Sequence, residues 1–235
     1  MKFILFISLL TFIHSNECFL FSSLFSCKNY IKEWNDLKVT YTLDPNDPNG
    51  FVSLPRSSSE AIKKGWTKEK GCSDGIIGNR YILNNDRAVL IIYDENGVLA
   101  GIATSLPKGL PLNFPPPKIQ TYFNDEGDSY VISAYFVDPS KVCTRRFFSF
   151  YGSSIGDRLV FQSKQQTLSI SYDQNNIDTG FWTQGGCLKT QGLHYWADVE
   201  RRPVNADTQP ENFLPLFLLY NRGKLNSFGW FVYFI

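Results

Sequence analysis

The chain has 235 residues, with 23 basic and 22 acidic side chains, five cysteines, 12 prolines and 17 glycines. Its length fits one large domain or two small ones. Near-neutral charge with no Lys/Arg block excludes non-specific nucleic-acid binding, which needs a basic face. An aromatic share of 16%, with frequent glycine and proline, excludes generalised disorder and long helical bundles.

At the start, Lys2 precedes an apolar run over residues 3–13, closed by His14-Ser15-Asn16-Glu17. A short charged start, an apolar stretch of secretory length and the small Ser15 predict a signal peptide over residues 1–15; later cleavage, up to residue 26, also fits. Extending the run through residues 18–25 as one membrane helix would put Asn16 and Glu17 in mid-membrane, which is costly. The expectation is therefore a secreted, extracellular protein with no membrane span after leader removal. Export allows disulfides to form and persist. Cys72 and Cys143 bracket a β-rich stretch and are expected to pair, leaving Cys187 for the N-terminal cysteines, with Cys27 preferred over Cys18. No His/Cys spacing suits zinc, and neither a metal nor a cofactor is expected.

Past the leader, Tyr30, Ile31, Trp34 and Leu37 have helical spacing, and Val39, Tyr41 and Leu43 alternate as in a strand. Ser57-Ser58-Ser59-Glu60 before Ala61 predicts a capped short helix ending near Gly65. Residues 88–93 are short, apolar and rich in branched side chains, as buried strands are. They turn at Asp94-Glu95-Asn96-Gly97 into a partner strand over 99–104. Residues 107–117 carry five prolines and predict a loop. Two strands, 119–123 and 129–137, flank the turn at 124–128. Strands follow at 159–161 and 168–172. A hairpin of 213–220 and 225–232 then closes about Asn221-Arg222-Gly223-Lys224. The fold class is mostly β (β-rich α+β): antiparallel sheets and hairpins with short helices, lacking the βαβ alternation of a nucleotide-binding sheet.

These elements echo one another. Trp66 to Cys72 resembles Trp182 to Cys187, and Gly78 with Tyr81 resembles Gly192 with Tyr195. Val89-Leu90-Ile91-Ile92-Tyr93 followed by Gly97 and Leu99 resembles Leu216-Phe217-Leu218-Leu219-Tyr220 followed by Gly223 and Leu225. Upstream, Val52-Ser53-Leu54 resembles Leu168-Ser169-Ile170. Three blocks in one order predict two diverged internal repeats. The first, with an N-terminal segment, is expected over 28–145, followed by a linker over 146–158. The second, shortened at its end, is expected over 159–235.

The residues shared by the copies are the candidate ligand contacts: Trp66, Arg80 and Tyr81 in the first, Trp182, His194 and Tyr195 in the second. Aromatic faces suit a carbohydrate, a small molecule or a protein surface, while core packing explains any one of them as well. His194 beside Asp198 has the chemistry of a general base, but the first copy carries Arg80 in its place, which cannot act as one near neutral pH. Gly152-Ser153-Ser154-Ile155-Gly156 has the spacing of a nucleophile elbow. That motif needs a strand before it and a helix after it, whereas residues 158–161 read as a strand. Acidic loops at 44–50 and 124–128 lack the distant glutamate of a calcium loop and read as turns. The leading expectation is a secreted non-enzymatic binding or structural protein. The alternative is a secreted hydrolase using Ser154 or His194, and a cohesive coat component is a third class.

Overall fold

The computed structural model of the protein describes residues 4–11, 37–40, 50–109, 114–144, 158–188 and 192–233. The first strands are β1 (Ile4–Thr11), β2 (Leu37–Thr40) and β3 (Phe51–Ser53). A helix, α1 (Ser58–Lys63), leads into β4 (Trp66–Lys70), β5 (Asn79–Leu83), β6 (Asp86–Tyr93) and β7 (Leu99–Pro107). Next come β8 (Asn124–Asp125), β9 (Ser129–Tyr135), β10 (Leu159–Gln162) and β11 (Thr167–Ile170). The last four are β12 (Trp182–Leu188), β13 (Gly192–Ala197), β14 (Leu216–Asn221) and β15 (Lys224–Tyr233). The protein is thus mostly β, with one α-helix and several 3-10 turns among the described residues. No helix among them is long and apolar enough to cross a membrane.

Two compact units form, one from residues 54–170 and the other from residues up to 53 together with those from 171 onward. The linker expected over 146–158 lies, apart from residue 158, outside the described residues, and the division into units follows strand pairing. β10 and β11 join the sheet of β4–β9, in the order β11-β10-β9-β7-β6-β5-β4 with β8 on β9. β1, β2 and β3 extend the later strands instead, in the order β12-β13-β14-β15-β1-β2-β3. All of these pairings are antiparallel. Residues 4–11, which the leader reading removes, are paired on both sides, with Ser8 opposite Gly229 on β15 and Thr40 on β2.

Side-chain alternation explains why these runs are strands. In the 54–170 unit, Tyr81, Ile91, Ile102, Ala134 and Phe161 lie opposite one another along one rung and are all buried. Removing each large apolar side chain from water contributes roughly 1.5–3 kcal/mol. The neighbouring rung, on the other face, is Arg80, Ile92, Gly101, Tyr135, Val160 and Ser169. α1 starts as its sequence predicts: the Ser57 hydroxyl accepts from the Glu60 N–H at 3.2 Å, and the chain leaves the helix through Gly65 at φ +86°.

Two expected elements differ. Residues 119–123 form a 3-10 turn (Gln120–Tyr122) rather than a strand, because the N–H groups of Ile119 and Gln120 both close back on the Pro116 carbonyl. The Gly185-Gly186-Cys187 stretch, whose glycines read from sequence as a Gly/Cys-containing loop before the hairpin, lies inside β12, where a bulge between Gln184 and Cys187 takes up the extra length. The helical spacing at Tyr30–Trp34 and most of the 44–50 turn lie outside the described residues.

Candidate functional site

All six candidate ligand contacts are buried, with 2% to 8% of their surface exposed. Trp66 and Trp182 open β4 and β12. Tyr81 meets Tyr93 edge-on at 5.2 Å between ring centres, and Tyr195 meets Tyr220 in the same way at 5.3 Å. The Tyr93 hydroxyl donates to the Pro55 carbonyl at 2.8 Å and the Tyr220 hydroxyl to that of Ser171 at 2.6 Å. Burial pushes both phenols well above their ordinary range. These aromatics are buried, the hydroxyls of Tyr93, Tyr195 and Tyr220 have hydrogen-bond partners, and little of their surface is offered to a ligand.

Arg80 anchors a buried ionic group. Its Nη2 donates to both oxygens of Glu126 at 2.8 Å, and Lys70 Nζ reaches Glu126 at the same distance. Arg87 pairs with Glu69 at 2.6 Å and donates to the Ser129 hydroxyl. Burial alone would raise the Glu126 carboxyl, but hydrogen bonds from Arg80 and Lys70 outweigh it and hold the group below its ordinary range. Glu126 belongs to the loop at 124–128 that invites a calcium reading. Its oxygens face cations of the chain, as do those of Asp125, which Lys108 contacts at 2.7 Å. Nothing in the sequence marks Glu126 as the partner of Arg80, because the two are 46 residues apart.

Arg80 lies on β5 opposite Ile92, and His194 lies on β13 opposite Leu219. Its ring stacks on Phe217 at 5.6 Å and Trp196 at 6.1 Å, and Nδ1 is buried without a hydrogen-bond partner. Asp198 is engaged elsewhere, by the Glu200 N–H at 2.7 Å and Arg202 Nε at 3.1 Å. Desolvation lowers the pKa of the imidazole, against smaller opposing backbone contacts from Gly186 and Gly192. A base depressed on folding takes up fewer protons than the unfolded chain, so its contribution is present above the ordinary value of 6.5 and lost as pH falls below it. The stability of the protein is accordingly expected to decline from pH 6.5 downward, and His194→Phe should flatten that limb in denaturant titrations. An unchanged limb would show that another group causes it. Ser154 and the whole 152–156 motif lie outside the described residues.

One concavity among the described residues of the 54–170 unit is a pocket of about 440 Å³. Strand geometry builds its floor: Gln162 faces Thr167 and Val160 faces Ser169 on adjacent antiparallel strands, which sets the four side chains on one side of β10 and β11. Ile77 adds an apolar wall. Asp138, Ser140 and Arg158 form the polar rim, and Cys143 closes it. Asp138 holds its turn by accepting from the Ser140 N–H at 3.1 Å and hydroxyl at 2.7 Å, which lowers its own carboxyl pKa. The expected disulfide is present: Cys72 and Cys143 are bonded, and the Cys143 sulfur also accepts from the Gly78 N–H at 3.1 Å. The turn between residues 138 and 143 is therefore pinned to the loop after β4. Sequence reasoning missed this pocket because no single motif carries it; three separated segments supply its lining.

Comparison of the chain with protein-family models, with curated proteins and with solved structures found no match in any of the three.

Proposed function

We propose that the protein is a non-enzymatic extracellular binding module, and that its ligand is a small polyhydroxylated molecule of the carbohydrate class held in the pocket over β10 and β11. The observation that carries this reading is the lining. Asp138, Ser140, Arg158, Gln162, Thr167 and Ser169 offer donors and acceptors around an apolar base of Ile77 and Val160. A sugar presents the same mixture of hydroxyls and apolar C–H faces, and a volume near 440 Å³ falls in the range of small-molecule sites. The Cys72–Cys143 bond is compatible with an oxidising compartment. Burial of His194 among aromatic rings weighs against the hydrolase alternative, since a general base must reach its substrate.

The test is a glycan array followed by titration calorimetry on the best hit. Gln162→Ala and Arg158→Ala are each expected to weaken binding about tenfold or more, the effect of one lost polar contact of about 1.4 kcal/mol, with the melting temperature unchanged. Binding that ignores both substitutions, or the absence of any glycan ligand, would overturn the assignment. Labelling of Ser154 by a fluorophosphonate that disappears in His194→Ala would restore the hydrolase.

A further inference from the structure

The pocket over β10 and β11 has its charges at one end. Arg158, Val160 and Gln162 alternate along one side of the chain as it enters and follows β10, and all three line the pocket. Strand rise separates each from the next by about 6.7 Å. The Arg158 N–H donates to the Phe136 carbonyl at 3.3 Å, which ties the backbone beneath its side chain to the neighbouring segment. The row therefore runs from a guanidinium, over apolar Val160, to an amide that stands opposite Thr167. Its length is about 13 Å, the reach of a linked pair of sugar rings.

The guanidinium end is electropositive. The one carboxylate in the lining, Asp138, is engaged by its own turn: Oδ1 accepts from the Ser140 N–H at 3.1 Å and from the Ser140 hydroxyl at 2.7 Å. Its Oδ2 lies 3.8 Å from Lys141 Nζ. Lys141 and Arg158 both favour the ionised form of that carboxyl, so two cations stand around one anion and leave a positive charge in excess. At the other end, Gln162, Thr167 and Ser169 are uncharged. A ligand seated over the row withdraws Arg158 from water. A guanidinium that loses hydration without gaining an anion weakens the complex, whereas a carboxylate meets its planar fork with two parallel N–H···O bonds. A sugar hydroxyl supplies neither the charge nor the second acceptor.

Resting on the carbohydrate reading above, we infer that the ligand is an acidic sugar of the uronic-acid class, with its carboxylate on Arg158 and its hydroxyls on Gln162, Thr167 and Ser169. Arg158 sets the specificity for charge. Asp138 and Ser140 brace the turn beside it, and Val160 underlies the ring face.

The test is an array of uronic-acid oligosaccharides printed beside the same oligosaccharides after reduction of each carboxyl to a primary alcohol, with sulfated neutral oligosaccharides as a third set. The full chain is applied, and the best member of each set is then titrated by calorimetry. The acids are expected to bind about tenfold or more tightly than their reduced counterparts, with an affinity that falls as salt is raised. Arg158→Gln should bring acid and reduced sugar to within about twofold of each other. Arg158→Lys, which keeps the charge without the fork, should retain only part of the preference. Arg158 is exposed, so both variants are expected to fold, and an unchanged melting temperature checks this. Equal or tighter binding of the reduced sugars would overturn the acidic-sugar assignment and leave the carbohydrate reading standing. So would a preference for the sulfated set, or a preference for acids that survives in Arg158→Gln. Binding to no member of the three sets and to no neutral glycan would overturn the carbohydrate reading itself, and the acidic-sugar assignment with it.

Discussion

Glu126→Ala is expected to lower the unfolding free energy by about 3–5 kcal/mol, the usual result of stripping one partner from a buried ion pair. The carboxylate holds Arg80 Nη2 with both oxygens and Lys70 with one, and Arg80 is 2% exposed. Without Glu126, the carboxylate left beside Arg80 among the described residues is Glu69, at 3.8 Å from its Nε. Adding Arg80→Met to Glu126→Ala should recover part of the loss, because an uncharged side chain of similar length removes the uncompensated cation. The pH dependence has a fixed sign. A carboxyl depressed on folding contributes in full above its ordinary value of 4.5 and loses that contribution as pH falls through its folded value. Glu126→Gln should therefore be less stable than the wild type near neutrality and should lack part of its acid limb below 4.5. Denaturant midpoints at several pH values check both statements. A Glu126→Ala loss under 1 kcal/mol would mean that the ion group contributes no more than an exposed pair.

Local signals made the strands legible. β6, β7, β14 and β15 could be read because branched and aromatic runs stop at Gly97 and Gly223, where φ is +77° and +76°. The cap at Ser57 and the Cys72–Cys143 bond were legible for the same reason, from turn chemistry and position. What escaped was long-range pairing. An apolar run such as residues 4–11 has the composition of both a leader and a strand, and its ladder with β15 and β2 is long-range pairing that composition does not carry. Trp66, Tyr81, Trp182 and Tyr195 show the reverse limit: sequence singled them out by resemblance without telling that they are buried. The pocket draws on residues from 77 to 169, and no single motif holds them.

Replacing Cys72 and Cys143 together by alanine should cost about 4 kcal/mol, the largest expected effect besides Glu126. The bond closes a loop with a sequence separation of 71. Chain-entropy reasoning gives roughly 4 kcal/mol for such a loop, because the cross-link removes conformations from the unfolded chain. The folded state loses something too: Gly78 N–H gives up its sulfur acceptor, and Ile77 beside it lines the pocket. Stability and binding should therefore respond together. Under reductant, the wild-type melting temperature should fall to that of the double alanine variant, and glycan affinity should fall with it as the 138–143 turn loses its anchor. Calorimetry with and without reductant measures the first effect, and titration of the ligand measures the second. If reduction lowered stability by 4 kcal/mol while binding stayed intact well below the melting temperature, the disulfide would act through the unfolded chain alone. The turn at 138–143 would then owe its position to Val142, which is 1% exposed and packs in the core cluster with Ile92 and Tyr135.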